Sequence, residues 1–148
     1  MHLESETWID APPERVWARV ADLAASPGIV PFLERAEPQA DGPVAVGARS
    51  RLTFARGGQT VEADAVVTEL DPPRRLAVRA EVAGLPVHVD VAWALASERG
   101  GTRVVQTVDV EARSFLARLA AGSLLGSGRG QHDLEAGLGR LKRAVEAA

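Results

Sequence analysis

A histidine and an aspartate lie two residues apart in the segment VHVDVAWAL (residues 87–95), as His88 and Asp90. An imidazole beside a carboxylate can act as a general base, provided that it reaches a substrate through a hydrogen bond. The segment alternates with a period of two, which predicts a β-strand with both polar side chains on one face and the valines and Trp93 on the other. The role of the pair therefore depends on which face lines a pocket.

The other residues that could support chemistry do not form a recognisable motif. The chain has no cysteine, and His2, His88 and His132 lack the spacing of metal ligands. The glycine-rich stretch at 126–130 has no strand before it, so it does not fit a dinucleotide-binding loop and is interpreted as a break in a helical stripe. The sequence thus predicts neither a metal ion nor another cofactor, and it identifies no catalytic residue.

The elements that must position these residues follow from hydrophobic periodicity. Residues 3–10 alternate as a first strand, Pro12-Pro13-Glu14 begins a helix, and a short second helix is predicted at about 29–35. From about 36 to 112 the pattern is strands and turns. A helical stripe follows, and Leu134, Leu138, Leu141 and Val145 continue it at helical spacing. The order predicts an α+β domain with an antiparallel sheet.

Three glycine-containing turns set the register of this sheet, at Gly57-Gly58, Gly84-Leu85 and Gly100-Gly101. The first pairs Phe54 with Val61 and Arg51 with Asp64. The second pairs Val78 with Val91, Leu76 with Trp93, Arg79 with Asp90 and Glu81 with His88. The third pairs Trp93 with Val108 and Leu95 with Gln106. All three give one apolar face and one charged face, so His88 and Asp90 are predicted on a solvated outer face.

The apolar face offers two interpretations. Small residues in its middle (Ala63, Ala65 and Ala80) could leave a cavity beneath a helix, or could let the helix pack closely. Gln106 is the clearest polar residue on this face, and Ser50 and Glu69 are predicted nearer to its end. Both interpretations stay open on the residues alone.

Composition restricts the class of protein. A chain of 148 residues with 46% hydrophobic and 25% charged residues is expected to form a single globular domain, residues 1–148. The net charge of −3 argues against nucleic-acid binding. No apolar run approaches the ~20 residues that span a bilayer, and the acidic first residues do not resemble a signal peptide, so a cytoplasmic protein is expected.

The segment TWIDAPPERVWARVADLAASPGIVPFLERAE resembles the N-terminal signature of the START-like, or helix-grip (SRPBCC), ligand-binding superfamily. The matching residues are Ile9, Ala11, Pro12, Glu14, Val16, Trp17 and Asp22. Residues 66–79 and 100–111 are also similar to this family, and the nearest members are bacterial polyketide cyclase/dehydrase-like proteins. The resemblance implies a curved sheet of about seven antiparallel strands around a long C-terminal helix, with two short helices after the first strand.

The resemblance also implies a hydrophobic ligand, lipid- or polyketide-like, between the sheet and the C-terminal helix. A polyketide cyclase/dehydratase-type enzyme without metal or nucleotide is an alternative, although tyrosine is absent and histidine is scarce. An interaction protein similar to the accessory proteins of carbon monoxide dehydrogenase is another, and a homodimer stays open. The predicted ligand-binding residues are Phe32, Leu52, Phe54, Ala65, Val78, Ala80, Val89, Val91, Trp93, Gln106, Val108, Gln131, Leu134 and Leu138.

Overall fold

One antiparallel sheet dominates the computed structural model of the chain, in which residues 1–119 and 129–148 are described. Its seven strands lie in the order β1-β7-β6-β5-β4-β3-β2. The strands are β1 (His2–Ile9), β2 (Leu33–Pro38), β3 (Arg49–Arg56), β4 (Gln59–Asp71), β5 (Arg75–Val82), β6 (Val87–Glu98) and β7 (Gly101–Ala112). Consecutive strands from β2 to β7 are neighbours, and β1 lies beside β7. Every pairing is antiparallel, as predicted.

The helices pack at the ends and on one face of this sheet. The first helix, Pro13–Val20, begins with a proline, which loses no helical hydrogen bond there, and carries Glu14 at the positive end of the helix dipole. A 3-10 helix follows at Leu23–Gly28, residues 115–119 are helical, and the C-terminal helix spans Arg129–Glu146. Most of the glycine-rich stretch predicted to break the stripe, residues 126–128, lies outside the described residues.

The prediction of a second helix at about 29–35 is wrong in its position. The short helix ends at Gly28, and residues from Leu33 onward form β2. Pro31 has no amide hydrogen to donate, and Phe32 has a φ of 66°, in the left-handed region, which is incompatible with continuing a right-handed helix. The chain therefore turns into the sheet at this point.

The first two hairpins have the register that their turns predict. Phe54 pairs with Val61 and Arg51 with Asp64 across β3 and β4. Val78 pairs with Val91 and Arg79 with Asp90 across β5 and β6. The apolar and charged faces of these four strands are therefore confirmed.

The third hairpin is shifted by two residues from its prediction. Its turn residues are Arg99 and Gly100, with φ of 48° and 78°, and Gly101 already pairs with Glu98 inside the ladder. Glycine at position 101 allows close packing, because a Cβ there would lie 2.4 Å from the carbonyl oxygen of Ile9 and 2.7 Å from the Trp8 ring. A shift of two keeps every side chain on its face, so Trp93 pairs with Gln106 and Val91 with Val108.

We call the sheet face that packs against the C-terminal helix the concave face. The hydrophobic core fills this face at one end of the sheet, which we call the sealed end. Its buried side chains come from the sheet and from the C-terminal helix: Ile9, Leu76, Leu95, Val104, Leu138 and Leu141. Arg15 of the first helix fixes the end of the C-terminal helix, since its Nη2 donates to the carbonyl oxygen of Val145 at 2.7 Å. In the segment 115–119, by contrast, the large apolar side chains of Phe115, Leu116 and Leu119 are exposed.

Candidate functional site

The concave face changes from buried to accessible along three adjacent strands. On β7, Val104 is 0% exposed, Gln106 and Val108 farther along the same face are half-buried, and Val110 beyond them is buried again, with 8% of its area exposed. The same change occurs on β6 after Leu95 and on β5 after Leu76. Within this region we call seven half-buried residues of the predicted ligand-binding set the open patch: Val78, Ala80, Val89, Val91, Trp93, Gln106 and Val108. Val82 and Val87, farther along β5 and β6, are half-buried as well. An accessible apolar surface on a concave face is the usual setting of a small-molecule site.

Register brings the seven open-patch residues together. Val78, Val91 and Val108 form one row across β5, β6 and β7, and Trp93 is directly opposite Gln106 in the next row. Gln106 also pairs with Ser5 of β1. The patch is thus apolar with a single amide at its border with the sealed end.

The remaining predicted residues surround this patch at different depths. Leu52 and Phe54 are half-buried on the same face of β3, whereas Ala65, Leu134 and Leu138 are buried. Gln131 donates from Nε2 to the carbonyl oxygen of Glu4 on β1 at 3.0 Å, so its amide fastens the start of the C-terminal helix to the sheet.

Phe32 lies at the surface, with 40% of its area exposed, beside the guanidinium of Arg56. The guanidinium carbon is 4.1 Å from the ring centroid, a cation–π distance. The same guanidinium contacts the Asp133 carboxylate of the C-terminal helix, with Nη1 and Oδ2 2.9 Å apart. No local sequence pattern indicates this connection between β3 and the helix, because Arg56 and Asp133 are 77 positions apart in the chain.

His88 and Asp90 lie on the outer face, as their register predicts, but His88 is not solvated. It is only 6% exposed, and its Nε2 lies 3.2 Å from Oε2 of Glu111 and 3.9 Å from Oδ2 of Asp90. Arg79 holds Asp90 through two hydrogen bonds of 2.8 and 3.0 Å. Because the sheet separates the pair from the open patch, His88 cannot act as a general base on a ligand bound there.

Glu69, predicted on the concave face, lies on the outer face. A bulge between Val67 and Glu69 shifts the register, so that Glu69 pairs with Ala77, and its carboxylate contacts the guanidinium of Arg75. An outer-face cavity of about 230 Å³ adjoins this ion pair and the Arg79–Asp90 pair. Asp109, the remaining charged residue of its walls, contacts Nδ1 of His2 at 2.5 Å, so each charged side chain of the walls already has an ion-pair partner.

Two further classes of site are absent from residues 1–119 and 129–148. No group of three or more histidine, aspartate or glutamate side chains there is arranged to hold a metal ion. No helix of the described chain is long and apolar enough to cross a membrane.

The family model described as "Polyketide cyclase / dehydrase and lipid transport" matches residues 1–146. The chain belongs to this family. No curated protein matches the chain. Membership supports a role in binding a hydrophobic ligand or a role of the cyclase type, and it agrees with the accessible apolar surface on the concave face.

Solved structures agree with this assignment. The protein TTHA0849 from Thermus thermophilus is 26% identical with a TM-score of 0.77, over 99% of this chain and 98% of that one. The Zhui aromatase/cyclase from Streptomyces sp. R1128 is 25% identical with a TM-score of 0.75, over 99% and 96%. Ara h 8.0201, 15% identical with a TM-score of 0.69 over 100% and 99%, shares the fold. The predicted helix-grip fold is confirmed.

Proposed function

We propose that the protein binds a hydrophobic small molecule, lipid- or polyketide-like, between the sheet and the C-terminal helix. The open patch is the observation that carries this proposal. The sealed end of the concave face is buried among packed side chains. The seven residues of the open patch, on the same face, keep accessible surface.

The driving force for binding is burial of apolar surface, about 25 cal/mol per Å² before the entropic costs of association. Val78, Val91 and Val108 supply adjacent aliphatic side chains, and Trp93 adds a large flat one. The amide of Gln106, opposite Trp93, would orient one polar group of the ligand by a hydrogen bond.

A cyclase-type enzyme is the second candidate, and the likeness to the Zhui aromatase/cyclase favours it. Such an enzyme would hold a flexible chain in a reactive conformation on the open patch and would transfer protons there. Gln106 is the only polar residue among the seven of the patch, and no ionisable side chain is among them. The patch therefore supports binding and folding of a ligand better than acid–base catalysis.

A pair of variants on one strand tests the proposal with 1-anilinonaphthalene-8-sulfonate, whose fluorescence rises in apolar sites. Val108→Phe enlarges a side chain of the open patch, and we expect it to weaken probe binding about tenfold. Val105→Phe is the matched control, because Val105 pairs with Ala94 on the outer face of the same strand and is also half-buried. Equal probe affinities in both variants would exclude the open patch as the site.

Trp93 provides a second readout. A fatty acid such as laurate, titrated into the protein, should change the tryptophan emission, and the change should vanish in Trp93→Phe. Trp17→Phe is the control, since Trp17 packs against the buried core, and it should retain the change. Native mass spectrometry of gently purified protein would then identify any co-purified ligand, and its mass would separate a lipid from an aromatic polyketide.

A further inference from the structure

Arg56, the last residue of β3, places a positive charge on the concave face. Leu52, Phe54 and Arg56 are alternate residues of the strand, so their side chains share one face of the sheet. The contact of Arg56 with Asp133 of the C-terminal helix identifies this face as the concave one. The apolar side chains of β3 are therefore followed by a cation at the edge of the face that carries the open patch.

Register relates Arg56 to the open patch. Leu52 pairs with Ala63 of β4, and Ala63 pairs with Val82 of β5, which is half-buried and lies two residues from Ala80 of the open patch. Four residues along a strand and two strands across amount to roughly 16 Å between the Cα atoms of Arg56 and Val82. The long arginine side chain covers part of this distance, so a ligand with a medium-length alkyl chain can contact both.

The guanidinium of Arg56 has donors that its ion pair does not use. An arginine carries five N–H donors in a planar fork, and Arg56 donates to a described residue only from Nη1, to Asp133 at 2.9 Å. By contrast, Arg74 and Arg79 each direct both Nε and Nη2 at one carboxylate. The Arg56 side chain is 31% exposed, and no nitrogen of it is among the buried atoms that lack a partner in the described chain. A second anion can therefore reach its Nε–Nη2 edge.

The geometry of this edge indicates the head group of the ligand. Two parallel N–H groups of an arginine match two oxygen atoms of a carboxylate or a phosphate. Asp133 already places one negative charge beside the guanidinium, so a singly charged carboxylate fits better than a doubly charged phosphate. We propose that Arg56 binds the carboxylate of an amphiphilic ligand whose apolar chain reaches the open patch, an assignment that rests on the function proposed above.

A purely structural link between β3 and the C-terminal helix is the competing explanation of the contact between Arg56 and Asp133. Two variants distinguish the explanations. Arg56→Gln and Asp133→Asn both break the ion pair, but only Arg56→Gln removes the group that would bind a carboxylate. Asp133→Asn removes a competing negative charge instead, so the two variants should have different effects on an anionic ligand.

Decanoate and 1-decanol, which share an alkyl chain and differ in the head group, test the proposal by isothermal titration calorimetry of the whole chain at pH 7. The quantity compared is the ratio of the dissociation constant of 1-decanol to that of decanoate. Arg56→Gln should lower this ratio about tenfold, because a charge-assisted hydrogen bond is lost. Asp133→Asn should keep or raise the ratio. Arg51→Gln, which removes an arginine from the outer face of the same strand, is the control and should leave it unchanged.

The other outcomes separate this assignment from the proposed function. If both variants weakened decanoate and 1-decanol by the same factor, the ion pair would be only a structural link, and the assignment of Arg56 would be overturned. Binding of both ligands with a ratio that Arg56→Gln does not change would overturn the assignment and leave the open patch as the place of binding. If neither ligand bound the unaltered protein, the proposed function would itself be contradicted. Decyl phosphate is a third probe, and tighter binding of it than of decanoate would overturn the choice of a carboxylate.

Discussion

At the scale of single residues, the pKa of Asp90 lies below its usual value, chiefly because Arg79 donates hydrogen bonds to its carboxylate. A carboxyl group whose pKa is depressed by folding stabilises the native state above its unfolded pKa. This stabilisation is lost as the pH falls through the lower, native pKa. The pair is partly exposed, with 39% of the Asp90 side chain accessible, so solvent screening keeps its contribution small.

Asp90→Asn should therefore destabilise the protein in a pH-dependent way. At pH 7 we expect the free energy of unfolding to fall by less than about 1 kcal/mol. The difference from the unaltered protein should shrink steadily as the pH falls below about 4. Urea unfolding monitored between pH 7 and pH 3 measures it. Glu34→Gln, at an exposed position with no ion pair to a described residue, is the control; a difference for Asp90→Asn that is constant with pH would contradict the assignment.

His88 illustrates what a periodic pattern predicts about one residue and what it does not. The period of two placed its side chain on the outer face, and the hairpin turn placed Glu81 opposite, and both are confirmed. Its burial depends on side chains of other strands, including Glu111, which is directly opposite on β7. Alternation determines which face of the sheet a side chain lies on, but it does not determine how large the neighbouring side chains are. The burial of His88 was therefore not predictable.

At the scale of elements, the two consecutive glycines of the β6–β7 hairpin have different structural roles. Gly100 is in the turn with a φ of 78° and has open space around it, whereas Gly101 is in the strand against the carbonyl oxygen of Ile9 and the Trp8 ring. From the sequence, either glycine could occupy the turn. The packing of Trp8 against β7 decides between them, and that packing is a tertiary contact which no local pattern contains.

Substitution of each glycine should separate these two roles. Gly100→Ala forces a Cβ into the left-handed region, at a cost of roughly 1 kcal/mol. Gly101→Ala places a Cβ within 2.4 Å of a backbone oxygen, and we expect a loss near the upper end of the range of about 1–3 kcal/mol seen for overpacking. Thermal unfolding of the two variants compares them directly. A larger loss for Gly100→Ala would contradict the close packing of Gly101 against Ile9 and Trp8.

At the scale of the whole molecule, the proposed function assigns stability to one end of the concave face and ligand binding to the other. The fold and the two faces of the sheet follow from turns, alternation and the family signature. The extent of a cavity does not, because the central alanines Ala63, Ala65 and Ala80 are compatible with either a cavity or close helix packing. The structure shows both outcomes: Ala63 and Ala65 are buried, and Ala80 lies in the open patch.

A matched pair on β7 tests this division of the molecule. Val104 and Val108 are on the same face of the same strand, but Val104 is in the sealed end and Val108 is in the open patch. Val104→Ala should leave a void among packed side chains and lower the free energy of unfolding by on the order of 2 kcal/mol. Val108→Ala should cost less than about 1 kcal/mol, because its side chain is half-buried and loses fewer contacts.

Val104→Ala should have the larger effect on stability, whereas Val108→Ala should have the larger effect on ligand binding. Val108→Ala removes surface that a bound molecule would cover, so it should weaken binding of 1-anilinonaphthalene-8-sulfonate several-fold, whereas Val104→Ala should leave the affinity nearly unchanged at a temperature where it remains folded. Urea unfolding and fluorescence titration of the same preparations give the two numbers for each variant. If both variants lost stability and affinity in the same proportion, the sealed end and the open patch would be one continuous core, and the apolar face would have no separate surface for a ligand.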